Sequence, residues 1–227
     1  IDGRLGGEVL TLSRDGATIL ADGAVEGLAI GCQVALMGAA GLAPDDSWIG
    51  RIVDPYGRPL DGRPLFRGGA IRPLQADAPP AAQRRRLGER LSTGVAVVDT
   101  VLPLVRGQRI GLFAGSGVGK SSLLAKFARS VDADVVVIAL VGERGRELRE
   151  FVERVLGPEG MRRSVVVTAT SDQSALARRR CPLAAMAVTI PPTFCTPWPF
   201  SGETCELPWM SRMCSGTLIW NTPTVLL

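Results

Sequence analysis

Residues 109–122, Arg-Ile-Gly-Leu-Phe-Ala-Gly-Ser-Gly-Val-Gly-Lys-Ser-Ser, constrain the fold of this chain more than any other stretch. An apolar run ends in a loop with Gly115, Gly117 and Gly119, which leads into Lys120, two hydroxyls and a helical pattern of Leu123, Leu124 and Phe127. That is the strand, phosphate loop and helix order of a Walker A motif. The glycines let the backbone adopt conformations closed to other residues and approach a ligand closely. Inward N–H groups would then form an anion nest at the positive end of the following helix. Gly115, Ser116, Gly117, Val118, Gly119, Lys120, Ser121 and Ser122 are therefore the candidate nucleotide-binding residues. In this geometry Lys120 reaches the β- and γ-phosphates of ATP, and Ser121 supplies a hydroxyl to Mg²⁺ as the candidate metal ligand. Ala114 stands where the first glycine of the motif is usually written. The plainer alternative is a glycine-rich turn between a strand and a helix.

Composition sets the outer bounds. The 227 residues are 46% hydrophobic and 21% charged, ordinary for a globular chain able to bury a sizeable core as one large domain or two small ones. No run of 18 uncharged apolar residues occurs, so no transmembrane helix is expected. The start, Ile1 to Glu8, has no apolar signal region and no methionine, which suggests a processed chain or one that begins partway through a longer protein. The absence of histidine excludes His-based acid–base chemistry and His-ligated metals. Cys32, Cys181, Cys195, Cys205 and Cys214 match neither a zinc module nor a CxxC pair, the usage of a cytosolic protein with incidental thiols. Net charge is +4, with basic clusters at Arg84–Arg86 and Arg178–Arg180. Each cluster is either a solvated face or a contact for nucleic acid or acidic lipid.

Three regions differ in texture. Residues 1–75 read as β, with alternating segments at Glu8–Leu12, Thr18–Leu20, Gln33–Leu36 and Ser47–Val53 between Gly and Asp turns. Such short, closely spaced strands suggest a small barrel. Residues 76–90, with Pro79-Pro80 and an arginine triplet, look like a linker. Residues 91–188 read as α/β. Strands are expected at Gln108–Ala114, Asp134–Val141 and Ser164–Thr168, and helices at Lys120–Arg129 and Glu147–Val155, the latter stopping at Gly157-Pro158. A further helix is expected from Ser174 to Val188, interrupted near Pro182. The continuous apolar run before Val141 is typical of a parallel strand buried on both faces. The fold class expected is thus α/β: a small N-terminal β-barrel followed by a partial P-loop domain with a parallel sheet. Residues 189–227 hold six prolines, three tryptophans and only three charged residues, with no periodicity. They are expected to be poorly ordered, and translation in a shifted frame after about Val188 would explain them.

Hydrolysis needs a group that orients and polarises the attacking water. Glu143, in Val141-Gly-Glu-Arg-Gly-Arg-Glu147, sits just beyond the carboxyl end of the buried strand, where open α/β sheets bind ligands. From there its carboxylate can face Lys120. Arg144 and Arg146 could contact phosphate or pair with Glu143 and Glu147. The bland reading of Glu143 is a helix-start carboxylate complementing the helix dipole. A Walker B acid, an Asp closing an apolar strand after the loop, has no match. Val95-Ala-Val-Val-Asp99 has the right composition but precedes the loop.

These motifs converge. Arg84–Val95, Gly107–Ser121 and Val141–Glu147 resemble the flagellum-specific (type III secretion) export ATPases, relatives of the rotary ATP synthase catalytic subunit. Gly50–Gly62 resembles that superfamily's junction after its N-terminal barrel, and Thr170–Ser174 and Arg178–Met186 resemble its next segment. The resemblance implies a β-barrel used in ring assembly, its first strand absent here, and a RecA-like domain. It implies a homo-hexamer that hydrolyses Mg-ATP at subunit interfaces in the cytoplasm. Its partners would be the flagellar export apparatus and exported proteins, with peripheral association at the inner face of the membrane and no nucleic acid. Glu143 becomes the water-activating residue, Lys120 and Ser121 the phosphate and Mg²⁺ contacts, and Arg144 a phosphate-side neighbour. After the segment matching Ala184–Val188, the family's Walker B strand, arginine finger, adenine-packing aromatic and C-terminal helical domain have no match, which implies impaired turnover. Two alternatives are a non-catalytic nucleotide-binding or assembly fragment and a RecA-like RNA translocase. The latter is disfavoured by the few N-terminal aromatics available for base stacking.

Overall fold

A computed structural model describes residues 5–75, 82, 87–115 and 117–189, together with the backbone of 217–221. Its centre is a parallel pair, β8 (Val136–Val141) and β9 (Ser164–Ala169), in register from Val136↔Ser164 to Val141↔Ala169. Both strands are β-branched runs buried on both faces. β4 (Arg51–Val53) extends the sheet beside β9, and β10 (Thr217–Asn221) lies parallel to β8 on its other edge, giving the order β10-β8-β9-β4.

The alternation of side chains divides the core into two layers. On one face, α2 (Lys120–Ser130) packs Leu124, Ala125, Phe127 and Ala128 into a cluster with Val136, Ile138, Leu140 and Val166. On the other, α5 (Ala175–Thr189) presents Cys181, Ala184, Ala185 and Val188 to Val137, Ala139, Val165 and Val167. α5 runs straight through Pro182, where an interruption was expected. The close packing of its small residues against the sheet offsets the backbone hydrogen bond that proline removes. The helix expected over Glu147–Val155 forms as α3 (Gly145–Glu150) and a π-helical turn (Phe151–Leu156); it stops as expected at Gly157, whose φ is 69°, and a separate α4 (Gly157–Met161) follows.

The N-terminal region departs from expectation. β1 (Gly7–Leu12) and β2 (Ala17–Ala21) form an antiparallel hairpin, and β3 (Gly41–Leu42) pairs briefly with β5 (Arg72–Pro73). No closed barrel is formed among the described residues. Gln33–Leu36 joins no strand: Val34 and Leu36 are 79% and 92% exposed, without a partner strand to fix the alternating pattern. Arg51–Val53, expected within the N-terminal β region, belongs instead to the α/β sheet, because pairing with β9 buries Val53 completely. β6 (Arg90–Leu91) and β7 (Leu104–Val105) make a small antiparallel pair around α1 (Ala96–Val101).

A further correction concerns the P-loop domain itself. Gln108–Ala114, expected as a strand, belongs to none, and β10 pairs with the edge of β8 away from β9. Within residues 189–227, Thr189 ends α5 and the backbone of Thr217–Asn221 forms β10. Most of the arginine triplet's segment, 83–86, lies outside the described residues, as does the rest of the tail after Thr189.

Candidate nucleotide site

α2 starts at Lys120, directly after a loop in which Gly117 and Gly119 have φ of 77° and 93°. Those values lie in the left-handed region that favours glycine, so the spacing of these two glycines is a backbone requirement. Lys120 and Ser121 are half-buried on the first turn, while Gly115, Gly117, Val118, Gly119 and Ser122 are exposed. Ser116 lies outside the described residues.

Across from this turn, the chain leaves β8 through Gly142, whose φ of 75° bends it sharply. The Gly142 amide donates to Ala169 O at 2.7 Å, and Glu143 O accepts from the Ser171 amide at 3.0 Å. The backbone of Glu143 is thereby tied to the carboxyl end of β9. Ser121, Leu140, Glu143, Glu147, Phe151 and Val155 line a cleft of about 210 Å³. The structure therefore brings together Ser121 and Glu143, residues that the sequence singled out separately.

Burial lifts the Glu143 carboxyl above its ordinary range, its hydrogen bond with Glu147 and that residue's charge lift it further, and the Lys120 ammonium pulls the other way. Lys120 is thus near enough to act on Glu143 electrostatically. Arg144 is not in the cleft lining; its side chain is 74% exposed, with Nη1 3.8 Å from Glu147 Oε1. Glu147 entered the sequence reading only as an arginine partner. Glu143 lies just before α3 and Glu147 in its first turn, and both carboxylates line the one cleft.

Asp99, the misplaced Walker B match, has a structural job. Its Oδ1 accepts from the Thr93 amide at 2.9 Å and Thr93 Oγ1 at 2.7 Å, and its Oδ2 accepts from the Gly94 amide at 3.0 Å. These bonds hold its carboxyl below the usual carboxylate range. The second basic cluster is partly engaged within the chain: Arg179 Nη1 lies 3.7 Å from Glu8 Oε2, and the Arg180 guanidinium lies 4.5 Å from the Tyr56 ring centre. Among the described residues no helix is long and apolar enough to cross a membrane, and no group of three His, Cys, Asp or Glu could hold a metal ion.

A glycine-bent phosphate-type loop on a helix that packs against a parallel sheet defines a P-loop nucleotide-binding domain. The sequence model described as the ATP synthase alpha/beta family, nucleotide-binding domain, matches residues 94–190. The chain is homologous to flagellum-specific ATP synthases and type III secretion ATPases. It is 46% identical over 184 residues to the flagellum-specific ATP synthase of Caulobacter vibrioides, covering 80% of this chain and 41% of the relative. It is 42% identical over 188 residues to the type 3 secretion system ATPase of Pseudomonas syringae pv. syringae, covering 80% and 42%. Among solved structures, the assembled ATPase EscN of enteropathogenic E. coli aligns with a TM-score of 0.71 at 32% identity, covering 83% of this chain and 46% of that one. EscN in complex with its central stalk EscO aligns with a TM-score of 0.73 at 34% identity, covering 81% and 45%. The chain spans less than half the length of these relatives.

Proposed function

We propose that the chain binds ATP at the loop from Gly115 to Ser122 and forms the nucleotide-binding part of a type III protein-export ATPase of the flagellar kind. The observation that carries this reading is the shared cleft: Ser121 at the start of α2 and Glu143 at the end of β8 line one cavity, with Lys120 close enough to act on Glu143. Backbone N–H groups of the loop and the Lys120 ammonium hold the phosphates, aided by the helix dipole. A hard divalent cation prefers oxygen donors, and Ser121 Oγ with the Glu143 and Glu147 carboxylates supplies only oxygens. Mg²⁺ there would neutralise charge on the phosphates. Ionised Glu143 orients and polarises the attacking water, and Arg144, exposed beside it, contacts phosphate when the nucleotide is bound.

The homologues support a wider setting. EscN is described as an assembled ATPase, and in one structure it carries a central stalk. By that analogy the chain works in a hexameric ring at the cytoplasmic face of the membrane, next to export-apparatus components and the proteins they export. Residues 1–75 contribute the barrel-like ring contacts when neighbours supply the missing strand pairing. None of β8, β9 and β10, the described strands after the loop, ends in an aspartate, which fits a chain whose turnover is impaired.

The test is calorimetric titration of the chain with MgATP, alongside phosphate release, with Lys120→Ala as control. Saturable binding that Lys120→Ala weakens at least about tenfold supports the assignment. Binding indifferent to that substitution refutes it.

A further inference from the structure

Residues 170–174 join β9, which ends at Ala169, to α5, which starts at Ala175, and both ends of this connector are tied to other parts of the chain. At the cleft end, the Ser171 amide donates to Glu143 O at 3.0 Å, beside the bond from the Gly142 amide to Ala169 O. At the helix end, Ser174 Oγ donates to Asp22 Oδ1 at 3.0 Å and accepts the Ala177 amide. Asp22 closes the β1–β2 hairpin, its amide donating to Gly6 O at 2.8 Å, and its Oδ1 also accepts from the Tyr56 hydroxyl. The residues between the two ends are bonded to one another. The Gln173 amide donates to Thr170 O at 3.1 Å, and the Asp172 carboxylate accepts from the Thr170 hydroxyl and from its own amide. A short connector braced in this way passes a displacement from one end to the other, because it has no free turn in which to absorb it.

We propose that Asp22 is a positioning residue for Glu143: by docking the β1–β2 hairpin on Ser174 it sets the 170–174 connector, through which Ser171 holds the Glu143 backbone at the rim of the cleft. One oxygen serves both hydroxyls, so its loss releases the hairpin from Tyr56 and from Ser174 in one step. With Asp22 docked, the connector is held at both ends and the Glu143 carboxylate keeps a fixed place in the cleft that Ser121 also lines. With Asp22 released, the connector keeps its junction with β9 but loses its outer anchor, and the Ser171–Glu143 bond opens more often. Such an opening leaves the core closed. Asp22, Tyr56 and Ser174 are half-buried, whereas Val165, Val166 and Val167 of β9 and Val137, Ile138 and Ala139 of β8 are buried. That Glu143 acts on a nucleotide rests on the function proposed above; the tie between Asp22 and Glu143 does not.

Residue-resolved hydrogen exchange on the full chain without nucleotide tests the tie. Asp22→Ala should speed exchange of the Ser171 amide at least about fivefold, while the amides of β8 and β9 keep their wild-type protection. Asp22→Asn keeps an acceptor for both hydroxyls and should stay within about twofold of the wild type. Ser13→Ala removes a bond at the far turn of the hairpin, where Ser13 Oγ donates to Gly16 O at 3.0 Å, and should leave Ser171 unchanged. A Ser171 amide that is open in the wild type, or as slow in Asp22→Ala as in the wild type, overturns the proposal. So does equal acceleration in Ser13→Ala, which would make the effect a general loosening of the hairpin. If Asp22→Ala opens β8 and β9 as well, Tyr56→Phe decides, because it removes one donor and keeps the ring beside Arg180. It must then quicken Ser171 with both strands protected. In phosphate release from MgATP, Asp22→Ala should lower kcat at least about fivefold and leave KM within about twofold, since the loop that holds the phosphates is untouched. A raised KM with kcat unchanged overturns the positioning role. Absence of MgATP binding or turnover in the wild type bears on the function proposed above, and the exchange result alone then decides the tie.

Discussion

Ser174 and Asp22 lie 152 residues apart and meet in one hydrogen bond, with Ser174 Oγ donating to Asp22 Oδ1 at 3.0 Å. The same Oγ accepts the Ala177 amide at 3.0 Å, so the residue caps α5 and grips the end of the β1–β2 hairpin at once. The Tyr56 hydroxyl donates to the same Asp22 oxygen. Burial and that bond hold the phenol well above its ordinary value. One carboxylate thus ties the hairpin, the turn after β4 and the start of α5, which leads back from β9 and the Glu143 side of the cleft.

Ser174→Ala should therefore do more than remove a cap. Loss of the cap alone costs about 1 kcal/mol, and leaving Asp22 one donor short adds a similar amount, on the order of 2 kcal/mol together. Urea unfolding would measure the total. Hydrogen exchange should speed up over Gly7–Leu12 and Ala17–Ala21 while β8 and β9 hold. Unchanged exchange in the hairpin would show that Ser174 does not anchor it.

Lys120→Ala should weaken MgATP binding by roughly 10- to 100-fold, the range for losing a charge-assisted contact to phosphate. Lys120 is half-buried at the helix start and makes no contribution to the packed face formed by Leu124 and Phe127. Its thermal midpoint without nucleotide should accordingly stay near that of the wild type. A large fall in that midpoint would mean the lysine is structural.

Glu143→Gln should retain nucleotide binding and lower any hydrolysis by about 10²- to 10⁴-fold, as expected when a positioned acid–base group is lost. The pH dependence carries a sign. Only the ionised carboxylate can polarise water, and Glu143 is held above the ordinary glutamate value, so hydrolysis should fall as pH drops through that raised value. Glu147→Gln removes the neighbouring charge and should move this acid limb to lower pH. For stability the sign reverses: a carboxyl raised in the folded state favours folding at low pH, and that contribution fades as pH rises through the raised value. An acid limb unmoved by Glu147→Gln would separate the two carboxylates.

How much of this was legible follows from where each signal lives. The phosphate loop, α2, β8, β9 and the placement of Glu143 rest on local patterns: glycines that must take positive φ, continuous β-branched runs, a helical stripe. Local patterns are what a sequence displays. Partner choice is not local. The run before Val53 alternates as any half-buried strand would, yet Arg51–Val53 pairs with β9 instead of with its N-terminal neighbours. Arg109–Ala114 has a strand's composition and joins no strand, while the edge of β8 away from β9 pairs with a segment more than a hundred residues later. Glu147 was visible only as a charge, because its closeness to Glu143 depends on the helix that starts between them. Pro182 signalled a break that tight packing of alanines on the sheet overrode.

The pair formed by Arg51 and Asp61 offers the clearest test of how the N-terminal region is fixed to the sheet. Arg51 Nη2 donates to Asp61 Oδ1 at 2.7 Å and to Arg63 O at 2.6 Å, and Nη1 donates to Pro64 O at 3.0 Å, with Arg51 only 7% exposed on β4. The guanidinium holds the Asp61 carboxyl far below the usual carboxylate range, opposed by its partial burial. The stability this contributes is present above the unfolded carboxylate value of about 4 and is lost as pH falls below it. Asp61→Asn leaves a nearly buried cation with only carbonyl partners, which should cost about 2–4 kcal/mol near neutral pH, somewhat under the usual loss for half of a buried pair. As the wild type is titrated from pH 5 to about pH 2, the gap between the two proteins should narrow, because protonation removes from one what substitution removed from the other. Urea midpoints at several pH values would measure the gap. A difference that stays constant down to low pH would mean that the charge on Asp61 is not what holds the turn.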